Sequence, residues 1–390
     1  MKPNIQRRHV FYLSGFDPRG ASFYHRLFKE EAQKQSKING IKLKIHPRKK
    51  QNQYSQAWTI EAQEQGQKVT TQYEFLRWDD IIRKHWIKSF LGIFIDFITV
   101  SWIYISTGTL KRVAKTSRTP AITGLYPAVF ISLSGLLAIL FSTLCIMLLS
   151  ALGLAVLGWL FGLLVFIAVL YLAKIFGDRI NVFWLLRIYA FTAHWAAGDI
   201  KLLEQRLDFF ADQIFNVLQN NKQDEVIIVS HSVGTMLAVI ISARVVRKID
   251  NSQVKQRLNM ITLGECIPLL SLLPKAAAIK KDLWCLSSTK NLYWIDYTSL
   301  ADGACFPLVD PVKVSLSKPP LYKNRPLILS TRFHKLLTDQ HYKKIRRNFY
   351  KMHFLYLMSS DYRGQYDFFA MTTGKQALEQ RIKQQYQGRK

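Results

Sequence analysis

The 390-residue chain carries 54 Lys plus Arg against 26 Asp plus Glu, a formal net charge of +28, yet 49% of its residues are hydrophobic. That hydrophobic share excludes a disordered polybasic tail, and the charge points to an anionic partner, either nucleic acid or an acidic membrane surface. Cys145, Cys266, Cys285 and Cys305 have no C-x-x-C spacing, which argues against a zinc site or disulfide framework and for reduced packing residues in a cytoplasmic compartment.

In chain order, the first apolar stretch, His9 to Leu13, is too short for a signal peptide and reads as a buried strand. Ser14 to Gly20 (SGFDPRG) is the loop after it, and Ala21 to Lys37 has helical spacing with Phe23, Leu27 and Phe28 on one side. Ile41 to Ile45 alternates like a half-buried strand, and the glutamine-rich stretch from there to Gln67 reads as a surface loop. Thr70 to Leu76 is a further strand ending in Asp79 and Asp80, two acids that either rim an active site or cap the next helix.

The character then changes. Residues 87–110 are apolar and aromatic but interrupted by Lys88 and Asp96, and residues 119–173 contain no charged residue at all. The uncharged stretch is too long for a soluble core helix and fits two membrane spans, near 125–149 and 151–173, turning around Ser150 to Gly153. Glycines at 153, 158 and 162 allow the two helices to approach closely. Both outer flanks are basic, so the positive-inside rule expects both ends in the cytoplasm. Residues 87–110 are expected to be an interfacial or re-entrant helix, with Trp86, Trp102 and Tyr104 at headgroup level.

After a helical region from Arg179 to Asn220, the sequence VIIVSHSVGTMLAV (Val226 to Val239) sets four β-formers before Ser230-His231-Ser232-Val233-Gly234 and a small-residue helix. Leu258 to Leu263, Asn291 to Thr298 and Arg325 to Phe333 are further strands. Strands alternating with helices predict an α/β fold with a mostly parallel sheet and helices on both faces, interrupted by the membrane hairpin. The expected divisions are 1–86, a membrane insertion at 87–187, 188–370, and a basic C-terminal tail at 371–390.

The Ser230 to Gly234 segment resembles the nucleophile elbow G-x-S-x-G of the α/β-hydrolase superfamily of lipases and esterases, with Ser230 in place of the first glycine. The resemblance implies a serine hydrolase with Ser232 as nucleophile and acid and base following in that order. It implies oxyanion donors at the N–H of Val233 and, from the early loop, of Phe16, although an ordinary strand-helix turn reads equally well there. Downstream, Asp302 follows a buried strand, where the superfamily places its acid; Asp296 and Asp310 are weaker alternatives. His353, among apolar and aromatic neighbours, is the preferred base, with His334 as the alternative and His341 as a solvated residue. Arg19 either holds an anionic substrate group or pairs with Asp17. His231 reads as structural.

The expected protein is therefore a membrane-anchored serine hydrolase acting on an ester or thioester of an acyl lipid, with its catalytic part on the cytoplasmic side of an anionic membrane. The resemblance implies no metal and no cofactor. The rival is a catalytically inactive binding or assembly module of the same fold. A cluster at Lys343, Lys344, Arg346 and Arg347 lacks any nucleic-acid motif, so a membrane surface accounts for the charge better than nucleic acid does.

Overall fold

A computed structural model of the chain describes residues 4–86, 89–318, 320 and 324–386. The chain forms two compact units: residues 1–84 with 195–390, and residues 85–194. The boundaries differ from those expected, 84/85 rather than 86/87 and 194/195 rather than 187/188. Lys88, the first two residues of the 87–110 segment, and the last four of the 371–390 segment lie outside the described residues.

The first unit opens with β1 (Arg7–Leu13), α1 (Ala21–Asn39), β2 (Lys42–Ile45), β3 (Lys49–Asn52), β4 (Ser55–Glu64), β5 (Gln67–Leu76) and α2 (Asp79–Lys84). The glutamine-rich stretch is therefore sheet, not loop. In β4 the side chains of Trp58, Ile60 and Ala62 are buried on one face while Thr59 is half-buried and Glu61 and Gln63 are exposed, an alternation that polar composition masks.

The second unit contains α3 (Phe90–Ser106), α4 (Thr109–Thr116), α5 (Arg118–Ala151), α6 (Ala155–Arg179) and most of α7 (Val182–Ala197). Helices α5 and α6 are long and apolar enough to cross a membrane, with mean hydropathy of 2.4 and 2.6 in windows that are only 6% and 11% buried. Their contact is built on small residues: Ser142 Oγ donates to the Gly162 carbonyl at 2.8 Å, and a Cβ at Gly162 would lie 2.5 Å from Ile146 Cγ1. Helices α3 and α4 bend by 73° at Gly108, whose φ of +67° suits glycine. Lys111, Arg112 and Lys115 are exposed along α4, and Val113 is buried on its other side.

The first unit resumes with α8 (Lys201–Gln219), β6 (Glu225–His231), α9 (Gly234–Asp250), β7 (Leu258–Leu263), α10 (Ile267–Ser271), α11 (Ala277–Ser288) and β8 (Leu292–Thr298). It ends with α12 (Pro311–Ser315), β9 (Leu327–Ser330), α13 (Phe333–Leu336), α14 (Asp339–Ile345), α15 (Phe349–Phe354), α16 (Phe368–Thr373) and α17 (Leu378–Tyr386). The nine strands form one sheet ordered β2-β4-β5-β1-β6-β7-β8-β9, with β3 also paired to β4. From β5 to β9 all neighbours are parallel, and only β2, β3 and β4 run antiparallel. The central strands are buried on both faces, which explains why β6 and β7 read as unbroken apolar runs.

The pairing of β1 with β6 constrains the second unit. Both strands lie in one sheet, so the insertion between them leaves and returns on one side of any membrane. An even number of crossings follows: α5 and α6 satisfy it, and counting α3–α4 as a third span breaks it.

The C-terminal segment is part of the fold rather than a free basic tail. Arg8, fully buried, bonds Glu225 at 2.7 Å and donates to the carbonyls of Gly374 and Gln376 at 2.7 and 2.8 Å, while Glu225 accepts from the Leu378 N–H at 2.8 Å. Leu378 and Ile382, one helical turn apart, are both buried. Removing one member of a buried ion pair strands the other charge. Arg8→Met is expected to lower the unfolding free energy of the detergent-solubilised protein by about 3–5 kcal/mol, with Arg8→Met/Glu225→Leu recovering part of it in denaturant titrations.

Candidate active site

The site is built at the carboxyl edge of β1, β6, β7 and β8. Strand β6 ends at His231 and α9 begins at Gly234, so two residues turn the chain. Ser232 takes a φ of +57°, a left-handed conformation uncommon for a non-glycine residue and held here by its surroundings. Its N–H donates to the Leu263 carbonyl at 2.9 Å, and its carbonyl accepts from the Thr235 N–H and hydroxyl at 2.9 and 2.6 Å. Ser230, at the position of the missing glycine, is buried and donates to the Ile261 carbonyl at 3.3 Å.

Two glycines let backbones meet at this turn. A Cβ on Gly234 would lie 2.5 Å from the Ser14 carbonyl oxygen, so α9 starts hard against the end of β1. A Cβ on Gly15 would lie 2.9 Å from Ser232 Cβ and 3.3 Å from its Oγ. The loop after β1 therefore lies directly on the serine. Trp78 Nε1 donates to the Ser14 carbonyl at 3.1 Å, and Trp78 meets the buried ring of Phe16 edge-on. Val233 is the N-cap of α9, where leading N–H groups have no intrahelical acceptor.

Asp302 and His353 come together. Asp302, in the loop after β8, and His353, on α15, are both essentially inaccessible, and His353 Nδ1 lies 2.8 Å from Asp302 Oδ2. Burial pushes the Asp302 carboxyl up, but the facing His353, its hydrogen bond and the Ala304 N–H outweigh it, leaving Asp302 below the usual carboxylate range. An ionised carboxylate only accepts, so Nδ1 of His353 carries the proton. Tyr356 adds a second donor, its hydroxyl 3.0 Å from the same Oδ2.

His231 ties this pair to the elbow. Its ring centroid lies 4.6 Å from that of His353, and Nε2 donates to the His353 carbonyl at 2.8 Å. Burial, and then the nearby His353, push its pKa down to about 3, so it stays neutral and keeps this tautomer. Cys266, buried after β7, places its Sγ 3.9 Å from Ser232 Oγ and donates to the Ala304 carbonyl at 3.2 Å, linking the elbow to the Asp302 loop.

The other candidates are engaged elsewhere. Asp296 lies inside β8 and accepts from Thr262 Oγ1 at 2.6 Å. His334 is exposed, with its ring near Tyr342. His341 is bonded to Asp361 at 2.8 Å in a half-exposed pair, so it is not simply solvated. Asp310 caps α12. Arg19 pairs with Asp17 through Nε and Nη2 and stacks 3.8 Å above Phe23, which leaves its charge compensated. Asp79 is bonded to Arg77 and Arg83, and Asp80 to Arg206, so these acids anchor local structure. Among the described residues no group of three or more His, Cys, Asp or Glu side chains is arranged to hold a metal ion.

The residues missed by sequence reasoning are Tyr356, Cys266 and the bonding role of His231. No family model, curated protein or solved structure matches the chain.

Beside the site, Asp296 and Glu265 form a contrast with Asp302. Burial raises both, the Asp296 carboxyl to about 8, and Glu265 is also pushed well above the usual carboxylate range, with Asp296 as its acidic neighbour. The folded protein thus keeps a proton on Asp296 that an unfolded chain releases near pH 4. This contribution is fully present below that pH and is lost as pH rises towards 8. Asp296→Asn preserves the acceptor for Thr262 and is expected to flatten the decline. At pH 8 its denaturant midpoint should correspond to a gain of at least about 1.4 kcal/mol, one pKa unit's equivalent; an unchanged pH dependence contradicts the assignment.

Proposed function

We propose that the protein is a membrane-anchored serine hydrolase of the α/β-hydrolase type, cleaving an ester or thioester of an acyl lipid. The observation that carries the reading is the joint geometry of one unit. A serine held at positive φ lies under the glycine loop of β1, and the residue before it, His231, bonds the backbone of a buried Asp302–His353 pair. The order along the chain is serine, acid, histidine, as the superfamily requires.

In this reading Ser232 Oγ bonds to the acyl carbon while its proton passes to His353 Nε2. The charge on the carbonyl oxygen is met by the Val233 and Phe16 N–H groups. The intermediate collapses as His353 hands that proton to the departing alkoxide or thiolate. Water then attacks the acyl-serine, again losing a proton to His353, and the serine leaves with it as the free acid is released. Asp302 stays ionised, fixing the His353 tautomer and stabilising the imidazolium. Residues Asp296 and His334 take no part.

The lipid class of the substrate rests on the second unit. Two apolar helices long enough to span, and exposed Lys111, Arg112 and Lys115 on α4, suit residence at an anionic bilayer, each such cation contributing about 1 kcal/mol of attraction. Basic flanks at both ends of the hairpin favour a cytoplasmic catalytic unit.

Purified full-length protein in detergent is expected to hydrolyse p-nitrophenyl acyl esters. Ser232→Ala and His353→Ala should each lower kcat by about 10³-fold or more, while His334→Ala stays within about twofold. Turnover that survives Ser232→Ala at the wild-type rate overturns the reading.

A further inference from the structure

The acid of the candidate triad is held by more than its histidine. Asp302 is completely buried, and its two oxygens have three donors: Ala304 N–H on Oδ1 at 3.0 Å, and His353 Nδ1 and Tyr356 Oη on Oδ2 at 2.8 and 3.0 Å. Tyr356 is itself fully buried and fixed on several sides. Its carbonyl accepts from the Tyr366 hydroxyl at 2.5 Å, its ring meets Phe333 edge-on at 5.1 Å, and its hydroxyl also lies 3.7 Å from Cys305 Sγ. Gly264, with a φ of +55° and its N–H on the Tyr297 carbonyl, supplies the space. A Cβ there would lie 2.8 Å from the Tyr356 ring and 3.2 Å from Asp302 Oδ2.

From this we infer that Tyr356 is a positioning residue for the catalytic dyad: its hydroxyl shares Oδ2 with His353 Nδ1 and fixes the rotamer of Asp302. The inference rests on the serine-hydrolase reading for its catalytic meaning, although the hydrogen bond exists independently of turnover. A carboxylate oxygen in a dry site needs its lone pairs met, and two donors on one oxygen define its orientation more narrowly than one. The second donor also withdraws charge from Oδ2, making it a weaker acceptor for His353. Tyr356 therefore trades proton affinity in the dyad for orientation. A purely structural tyrosine, packed but electrostatically silent, would alter stability alone.

Tyr356→Phe removes the hydroxyl and keeps the ring. In the full-length protein in detergent, ester hydrolysis should show kcat reduced about threefold to tenfold with KM within about twofold, because the lost contact acts on the dyad and not on substrate. With one donor fewer, Oδ2 presents more negative charge to the imidazole, so the acid limb of the kcat/KM profile should move up by about 0.5 unit. The proton on His353 Nδ1, followed by NMR, should move downfield as Oδ2 becomes the stronger acceptor. Substituting 3-fluorotyrosine at position 356 strengthens the donor without opening a cavity, and both shifts should then reverse in sign. This second variant keeps the test decisive where Tyr356→Phe folds poorly. Tyr104→Phe, which removes a buried hydroxyl bonded to Thr192 and touching neither Tyr356 nor Asp302, should lower thermal stability and leave the acid limb in place.

The outcomes separate. A wild type that hydrolyses esters, with an acid limb and Nδ1 resonance unmoved in both Tyr356 variants, overturns the role of Tyr356 and leaves the hydrolase reading intact. A wild type without hydrolytic activity whose Nδ1 resonance still moves in opposite directions supports the positioning of Asp302 and removes the hydrolase reading.

Discussion

The parallel pairing of β1 with β6 is the constraint on which the rest depends. It joins residues about 217 positions apart in sequence, such as Arg8 and Glu225, across the whole inserted unit. Closing so long a connection is entropically costly, but the cost rises only logarithmically with length, and the interior of a sheet buried on both faces offsets it. The pairing also delivers the chemistry. With β1 in register against β6, Gly15 arrives over Ser232 and Gly234 arrives under Ser14, so the elbow and the loop meet without side chains between them. The same pairing forces the inserted unit to begin and end on one side of any membrane that α5 and α6 cross.

Around that turn, environment divides chemically similar groups into different roles. Three buried carboxyl groups lie on or just after β7 and β8: Asp296 within β8, and Glu265 and Asp302 in the loops that follow β7 and β8. Asp302 has three donors and is held below the ordinary range; Asp296 has one hydroxyl donor and Glu265 one backbone N–H, and burial holds both above it. The ionised member faces a histidine, and the raised ones do not. The two neighbouring histidines divide likewise. His231 is held neutral by burial and spends its N–H on a backbone carbonyl, whereas His353 directs Nδ1 to a carboxylate. Perturbed groups sorted in this way are a pattern of acid–base sites.

Much of this was legible in the sequence, for a physical reason. Strands β6 and β7 are buried on both faces, so composition alone reveals them, and the uncharged stretch between Arg118 and Lys174 exceeds anything a soluble core uses. The β3–β4 hairpin was hidden because one face of an edge region is wet and glutamine-rich; the period-two signal of Ile60 and Ala62 is drowned by Glu61 and Gln63. The C-terminal segment misled because its charge is conspicuous, while its docking depends on Leu378 and Ile382 and on backbone groups bonded to Arg8 and Glu225, which composition does not report. Asp302 was separable from Asp296 by its place after β8, outside the strand. Tyr356 was not, since a tyrosine among aromatics reads as core until the partner of its hydroxyl is known.

The central claim is that Ser232 is an activated nucleophile. Its most direct measurement is covalent labelling of the detergent-solubilised protein with a fluorophosphonate, followed by peptide mass spectrometry. A single stoichiometric adduct on Ser232 that requires native structure is expected. A folded protein that takes up no label, or is labelled on another residue, contradicts it.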